Sequence, residues 1–543
     1  MAALDNLRNK IIDKKLIEKI LIVFLMLQPL LDFYFLFDED VVNFFGFSPS
    51  TIVRIAFVGI IGVLFVLVLR NVKEYVLYAI YIAIVGVYVV FHHMNALNFT
   101  DFYGGYDFGY TLVSELFYII RMLMPLFLII VSAHYEFTDE TLEKLTTVWM
   151  VLISGSIVVT NLLGVATGSY SKKQILGNIF YWFMEDRGGL NFMDLASKGL
   201  FLDPNRLAAL LVLVTPLTFY VLFKNPSAKN KVLVFLNLIA MFMVGTKVST
   251  LGLAINLVIS LCVYLFFSLV KKEMPFRRSV LGYLVFLFVA FAIIYPFSPA
   301  INRAEVDNGI VEDYKENEED ANEEVLDELN QALKNEYLEE INSALEEGMT
   351  MDDILAILPA EKKNAYLITF IENYYQDYHL HYDFVFDCYP YGYDPEFWYG
   401  VMNMSIEERT NFRTVEQMML QRVKDKNNNP MDDYLGITFT RMGNIFDLEK
   451  DFLSHYYTLG IAGLIIFLFP YLIITLVAIV KMLISFKKCA TMKNVYYLLG
   501  CGVALCAAYL TGNVMDGLIC TLILGFCFGQ LINGVFNLGN QLK

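Results

Sequence analysis

Three short stretches of the sequence place charged side chains where hydrophobic segments begin. Arg206 lies in the first turns of one segment within SKGLFLDPNRLAALL, where Asp203 can cap a helix and Pro204 fits its first turn. Lys247 precedes another segment within GTKVSTLG. Glu449 precedes a third in EKDFLSHYYTLGIAGL. A cation at a membrane boundary can hold an anionic group, and a carboxylate there can accept a proton from a hydroxyl. The three stretches therefore indicate chemistry at one face of a membrane.

Membrane-spanning helices must position these residues. Hydrophobic residues make up 57% of the chain, and a helix needs about 20 apolar residues to cross a bilayer. We predict an all-α polytopic membrane protein with about twelve transmembrane helices, each from a segment that reaches or approaches this length. The segments are residues 20–37, 51–69, 75–91, 113–131, 148–165, 205–223, 232–244, 251–270, 280–297, 456–480, 496–510 and 518–535.

The distribution of lysine and arginine predicts the orientation, because cytoplasmic loops carry an excess of both. The basic N-terminal segment and the basic loops around Lys229, Lys271 and Lys488 all fall on one side if twelve spans are present. Both termini are then cytoplasmic. The chain divides into helices 1–9 in residues 1–298, one large extracytoplasmic loop domain in residues 299–452, and helices 10–12 in residues 453–543.

The large loop is acidic, rich in tyrosine and mainly helical by its pattern. It holds about 35 acidic residues and about 12 basic ones, which excludes a nucleic-acid surface. An apolar stripe over residues 326–345 predicts one helix. Thr350 with Asp353, and Ser405 with Glu408, predict two further helix starts. The aromatic stretch 374–399 is typical of an interfacial belt, with a glycan-stacking platform as the alternative.

The three stretches resemble the O-antigen ligase and polymerase family of bacterial envelope enzymes, in the branch found in Gram-positive bacteria. In the ligases a motif of the form His-Asn-x-Tyr-Leu runs to a glycine at the head of the next membrane helix. Laid on this chain, the motif puts Phe452 on the tyrosine, Leu453 on the leucine and Gly460 on the glycine. Glu449 falls on the histidine, which is a departure from the family pattern. Lys247 similarly replaces an arginine.

The resemblance implies transfer of a glycan from an undecaprenyl diphosphate carrier to an acceptor hydroxyl, with neither metal nor cofactor. It implies as partners the lipid-linked saccharide, the bilayer, the glycan acceptor and other envelope polysaccharide assembly proteins. Such a reaction needs a base for the acceptor and cations for the diphosphate. The candidate bases are Glu449 first and Asp451 second. The candidate cations are Lys198, Arg206, Lys247, Arg303 and Arg441.

Each candidate also has a structural interpretation. Lys247 can extend to the interface without binding phosphate, and Arg206 can form an ion pair with Asp203. Arg303 and Arg441 lie in acidic surroundings that favour ordinary ion pairs. Arg121, within a span, could line the same cavity as these cations or pair with Glu115 or Asp32.

Two other functions stay open on the sequence alone. A twelve-helix transporter or flippase would have repeated halves, whereas this chain has one large external loop, placed asymmetrically after the ninth span. A different glycosyltransferase could use the acidic residues of the first external loop, namely Asp38, Glu39 and Asp40.

Overall fold

The computed structural model describes residues 14–37, 48–68, 71–100, 108–315, 359–446, 448–512 and 514–538. Within these ranges, ten helices are long and apolar enough to cross a membrane. They are Pro49–Val68, Val72–Leu97, Leu112–Ala133, Asp139–Leu162, Pro204–Lys224, Lys247–Val270, Arg278–Lys315, Asp451–Ile484, Met492–Leu510 and Leu518–Phe536.

Two of the twelve predicted spans form shorter helices. The first, Lys14–Leu27, ends just before Pro29 and continues as the 3-10 turns Leu30–Asp32 and Tyr34–Phe37. Proline terminates this helix because it has no backbone N–H to donate. The other is Ala228–Val244, of 17 residues, which ends at Gly245 in the left-handed conformation with φ +70°. By this length criterion the described residues hold ten candidate spans, where the sequence predicted about twelve.

Two helices form the centre of the bundle. Almost every residue of Pro204–Lys224 from Leu207 onward is buried, and Leu518–Phe536 is buried to a similar degree. Pro49–Val68 and Val72–Leu97 instead expose most of their apolar side chains, as expected of helices that face lipid. The stretch around Arg206 therefore opens a central helix.

Within the predicted loop domain of residues 299–452, residues 359–446 build a second hydrophobic cluster, which also includes Phe108, Leu448 and Tyr457. We call residues 359–446 the loop domain below. Its helices are Ala360–Tyr374, Pro395–Met402, Ile406–Arg409, Phe412–Asn427, Asp432–Leu435 and Phe439–Ile445, with a π-helical turn at Phe384–Cys388. The predicted stripe at residues 326–345 and the Thr350 helix start lie outside the described residues. Ile406–Arg409 does begin after Ser405, whose hydroxyl bonds the Glu408 carboxylate at 2.9 Å.

Part of the aromatic stretch 374–399 supplies this core, while Tyr382 in the same stretch is 53% exposed. Trp398 and Tyr389 are fully buried, and the indole N–H of Trp398 donates to the Tyr389 carbonyl at 2.7 Å. Phe384 and Phe397 are buried beside them. Both functions that the sequence suggested would require exposed rings, so neither fits these side chains.

A pair of glycines joins the loop domain to the membrane helix that follows it. Gly460 interrupts Asp451–Gly463 with φ +66°, and a Cβ there would lie 2.3 Å from the Tyr434 carbonyl carbon. Gly436 has φ +80°, and its Cβ would lie 2.2 Å from the Thr458 oxygen. Only glycine permits such a close mutual approach at positive φ.

A smaller segment between two membrane helices, residues 163–203, carries short elements of its own. The strands Thr167–Gly168 and Ser197–Gly199 pair antiparallel at its base. Between them lie the 3-10 helices Ile179–Phe183 and Glu185–Gly189 and the short helix Phe192–Leu195.

Candidate functional site

Glu449 lies between a membrane helix and the loop domain. Its Oε1 accepts a hydrogen bond from the Asn205 side-chain amide at 3.1 Å. Its Oε2 accepts from the Arg413 guanidinium, at 2.7 Å from Nη2 and 3.3 Å from Nε. The Glu449 side chain is nevertheless 33% exposed. The carboxylate is therefore held in a defined direction while it remains accessible to another molecule.

The start of the Pro204–Lys224 helix brings Asn205 to this position. Pro204 occupies its first turn, where a missing N–H costs nothing. Asp203 caps the helix by accepting from the Asn205 and Arg206 backbone N–H groups at 2.7 and 3.0 Å, which confirms the predicted cap. Arg206 Nε lies 3.9 Å from Asp203 Oδ2. Asn205 and Arg206 therefore have a fixed backbone at the edge of the bundle.

The Glu449 backbone is fixed by Gly512, at the end of the Met492–Thr511 helix. Gly512 has φ +69°, and a Cβ at this position would lie 2.3 Å from the Glu449 carbonyl carbon. A larger residue would force the two segments apart. Membrane helices thus hold Glu449 by both its backbone and its side chain.

Two of the predicted cations, Lys247 and Arg303, meet around Asp307. Lys247 Nζ lies 3.7 Å from Asp307 Oδ2, and Arg303 Nε lies 3.5 Å from the same oxygen. Arg303 is also close enough to Glu449 for their charges to interact. Of the pair, Arg303 therefore shares an electrostatic environment with Glu449.

Aromatic residues of segment 163–203 support these cations. The Arg303 guanidinium lies 4.7 Å from the centre of the Tyr170 ring and 5.8 Å from that of Phe192. The Tyr170 hydroxyl donates to the Gly245 carbonyl at 2.8 Å, immediately before the helix that Lys247 opens. Segment 163–203 therefore contacts Arg303 directly and the backbone two residues before Lys247.

Lys198 is buried in the strand Ser197–Gly199. Its ammonium donates to the Ser171 carbonyl at 3.3 Å. Burial lowers the pKa of Lys198, the negative charge of Asp203 opposes that shift, and the positive charge of Lys172 adds to it. Lys198 is thus linked to the start of the Pro204–Lys224 helix through the charge of Asp203.

Two other predicted residues have contacts of a different kind. Arg441 is buried, donates to the Ala96 carbonyl at 3.1 Å and lies 4.1 Å from the centre of the Phe99 ring. Asp451 is fully buried, and its Oδ2 accepts from the backbone N–H groups of Val514 and Met515 at 2.8 and 2.7 Å. In this geometry Arg441 ties the loop domain to a membrane helix, and Asp451 ties two helices together.

The arginines within the spans also have local partners. Arg54 lies 3.5 Å from Asp32, and Arg121 donates to the Asp516 carbonyl at 2.6 Å. Arg121 therefore does not use the Asp32 and Glu115 partners that the sequence suggested for it. Glu115 instead accepts from the Thr440 backbone at 2.8 Å.

Three residues of the site were missed by sequence reasoning. Asn205 adjoins Arg206 within a stretch already singled out, so its position offered a signal. Asp307 is one of many acidic residues in its region, and Arg413 is one of several basic residues of the loop domain. Neither stands in a motif.

Comparison with known families gives one match over nearly the whole chain. Residues 14–536 match the family described as O-antigen ligase like membrane protein. A search of curated proteins finds no match. Because the family match extends from the first described helix to the last, this chain belongs to the O-antigen ligase like family of membrane proteins.

Proposed function

We propose that the protein transfers glycans from an undecaprenyl diphosphate-linked donor to an acceptor hydroxyl, with Glu449 as the general base. Family membership implies a glycan-transferring membrane enzyme. One observation carries the proposal further: an accessible carboxylate at the histidine position of the family motif is oriented by Asn205 and Arg413.

In the proposed reaction, the oxygen of the acceptor hydroxyl attacks the anomeric carbon of the donor sugar while Glu449 accepts the hydroxyl proton. The bond between that carbon and the diphosphate oxygen breaks, and the diphosphate leaves with the bonding electrons. Cations placed where this charge develops lower the barrier. Lys247 and Arg303 are the first candidates, since both lie beside Asp307 and Arg303 interacts with Glu449. Arg206 and Lys198 are the second.

The proposed setting is the outer face of the cytoplasmic membrane, with both termini cytoplasmic and the loop domain outside. The positions of lysine and arginine in the loops support this orientation. The undecaprenyl chain would stay among the apolar helices while its diphosphate reaches the charged cluster. This arrangement suits a reaction without a metal, since side-chain cations supply the positive charge.

The proposal is tested by replacing the base and a cation in a host that depends on the protein for its surface polysaccharide. Glu449→Gln keeps the shape of the side chain but removes its basicity, and Lys247→Ala removes one charge. Each is expected to abolish transfer while the protein remains in the membrane. Glu396→Gln is the matched control, because Glu396 is an exposed carboxylate of the loop domain that pairs with Lys363.

Lipid-linked intermediates then identify the type of transfer. Accumulation of single repeats in the Glu449→Gln strain indicates a polymerase, and accumulation of full-length lipid-linked glycan indicates a ligase. Unchanged amount and length of surface polysaccharide in both variants would refute the assignment.

A further inference from the structure

The stretch of residues 176–184 has several apolar side chains that are exposed on the protein surface. Phe180 is 63% exposed and Phe183 is 48% exposed, and Leu176 and Met184 are exposed to a similar degree. Trp182 in the same stretch is buried in the core of the helical bundle. One face of the stretch therefore packs on the protein, and the opposite face exposes apolar side chains.

The ends of two membrane helices hold this stretch in place. The Ile179 N–H donates to the Asn161 side chain at 3.0 Å, at the end of the Asp139–Leu162 helix. On the other side, the Phe183 ring lies 5.1 Å from the ring of Phe297, in the 3-10 turn Tyr295–Phe297 that ends the apolar helix Arg278–Ile294. Residues 176–184 thus bridge the ends of two candidate spans.

The exposed apolar surface of the stretch continues that of both helices. Val159 and Leu163 are exposed at the end of the first helix, and Val289 and Ile293 are exposed on the second. An apolar surface that continues the outer surface of a membrane bundle is best covered by acyl chains. Charged residues follow the stretch directly, beginning at Glu185, and they mark the boundary between the acyl chains and water.

We propose that residues 176–184 insert into the membrane leaflet on the side of the loop domain, as an interfacial wedge that does not cross the bilayer. The same segment, 163–203, contacts Arg303 through Tyr170 and Phe192. Membrane insertion would therefore fix the height of Arg303 relative to the lipid headgroups. The inference concerns the bilayer alone and stands whether or not the protein transfers glycans.

Spin labels in proteoliposomes test the insertion. Phe180→Cys and Phe183→Cys are labelled in the full chain, and collisions with oxygen, which concentrates among acyl chains, are compared with collisions with a water-soluble nickel chelate. Val289→Cys reports a lipid-facing helix. Phe412→Cys is the matched control, an exposed phenylalanine of the loop domain. The background lacks the more accessible native thiols, Cys262, Cys388 and Cys506.

We expect the labels at Phe180 and Phe183 to match that at Val289, with at least a severalfold excess of oxygen over nickel collisions. A nickel accessibility equal to that at Phe412 would overturn the proposal, because the stretch would then lie in water. Protection from both reagents would also overturn it, because a protein surface would then cover the stretch. Labelled Leu176→Cys provides an independent second position if one phenylalanine variant fails to fold.

Discussion

Arg413→Gln tests the reasoning about Glu449 more sharply than replacement of the carboxylate itself. Arg413 belongs to the loop domain and contacts one oxygen of Glu449 through two nitrogens, at 2.7 and 3.3 Å. If it orients the base, its loss should slow the chemical step and leave donor binding largely intact. We therefore expect kcat to fall while KM changes little.

The size of the effect follows from the geometry and the exposure. Hydrogen bonds between charged groups contribute about 1.5–3 kcal/mol, and exposed ion pairs at most about 1 kcal/mol. The side chains of Arg413 and Glu449 are 36% and 33% exposed, so an intermediate value of about 1.5 kcal/mol is reasonable. Since about 1.4 kcal/mol corresponds to tenfold, kcat should fall about tenfold. Loss of a general base typically lowers the reaction rate about 100-fold to 10,000-fold, and we expect a fall in kcat of this size for Glu449→Gln.

The assay is transfer from lipid-linked donor to acceptor in membranes that carry equal amounts of each variant. Arg413→Gln, Glu449→Gln and the double variant complete a cycle. If Arg413 acts only through Glu449, the double variant should be no slower than Glu449→Gln alone. Lys363→Gln is the control, because it breaks an ion pair of similar length and exposure with Glu396 elsewhere in the loop domain.

Two results would refute the reasoning. Full activity of Arg413→Gln would mean that the contact does not orient the base. Additive losses in the double variant would mean that Arg413 acts on the substrate or on folding independently of Glu449. If Arg413→Gln and Lys363→Gln lower the thermal midpoint by the same amount, the loss of activity in Arg413→Gln would be due to folding.

The remaining predictions concern the loop domain and its junction with the membrane. Burial, with the negative charges around it, raises the pKa of the Cys388 thiol from 9.0 to about 11. Alkylation of this thiol at pH 8 should therefore be about 100-fold slower than in the protein unfolded in detergent, and the alkylation rate of the folded protein should rise tenfold per pH unit. Gly460→Ala should lower the thermal midpoint by several degrees because of positive φ and backbone overlap, whereas Gly400→Ala, with open space around it, should not. Burial raises the pKa of Asp394, but the hydrogen bond and charge of Arg422 lower it by more, so the net pKa is below the usual 3.8. Asp394→Asn should therefore destabilise the domain at neutral pH. The difference from the wild-type protein in thermal midpoint should begin to shrink only when the pH falls below 3.8, and should disappear below the lower pKa of the folded state.

Local features of the sequence predicted the start of the central helix well. Asp203 caps it and Pro204 occupies its first turn, as expected, because capping depends on residues two or three positions apart. The end of the helix Phe412–Asn427 likewise follows the predicted break, with Asn428 in the left-handed conformation. Such signals need no knowledge of distant contacts.

The contacts that define the site could not be predicted in this way. Asn205 and Glu449 are 244 positions apart, and Arg413 and Glu449 are 36 apart across the loop domain. Composition also could not separate the members of stretch 374–399, because buried core aromatics and exposed aromatics have the same residue types. Only packing distinguishes them, and Trp398 with Tyr389 lies inside.

Glu449 and Asp451 show why spacing alone does not identify a base. The two carboxylates are separated by one residue, yet Asp451 begins the helix Asp451–Gly463 and turns inward to accept from two backbone N–H groups. Glu449 precedes the helix and faces Asn205 and Arg413. Lys450, between them, donates to Gln417 in the same loop-domain helix as Arg413, at 3.3 Å. Because that helix contacts two consecutive residues here, the loop domain helps to position Glu449 and is part of the proposed active site instead of a separate attachment.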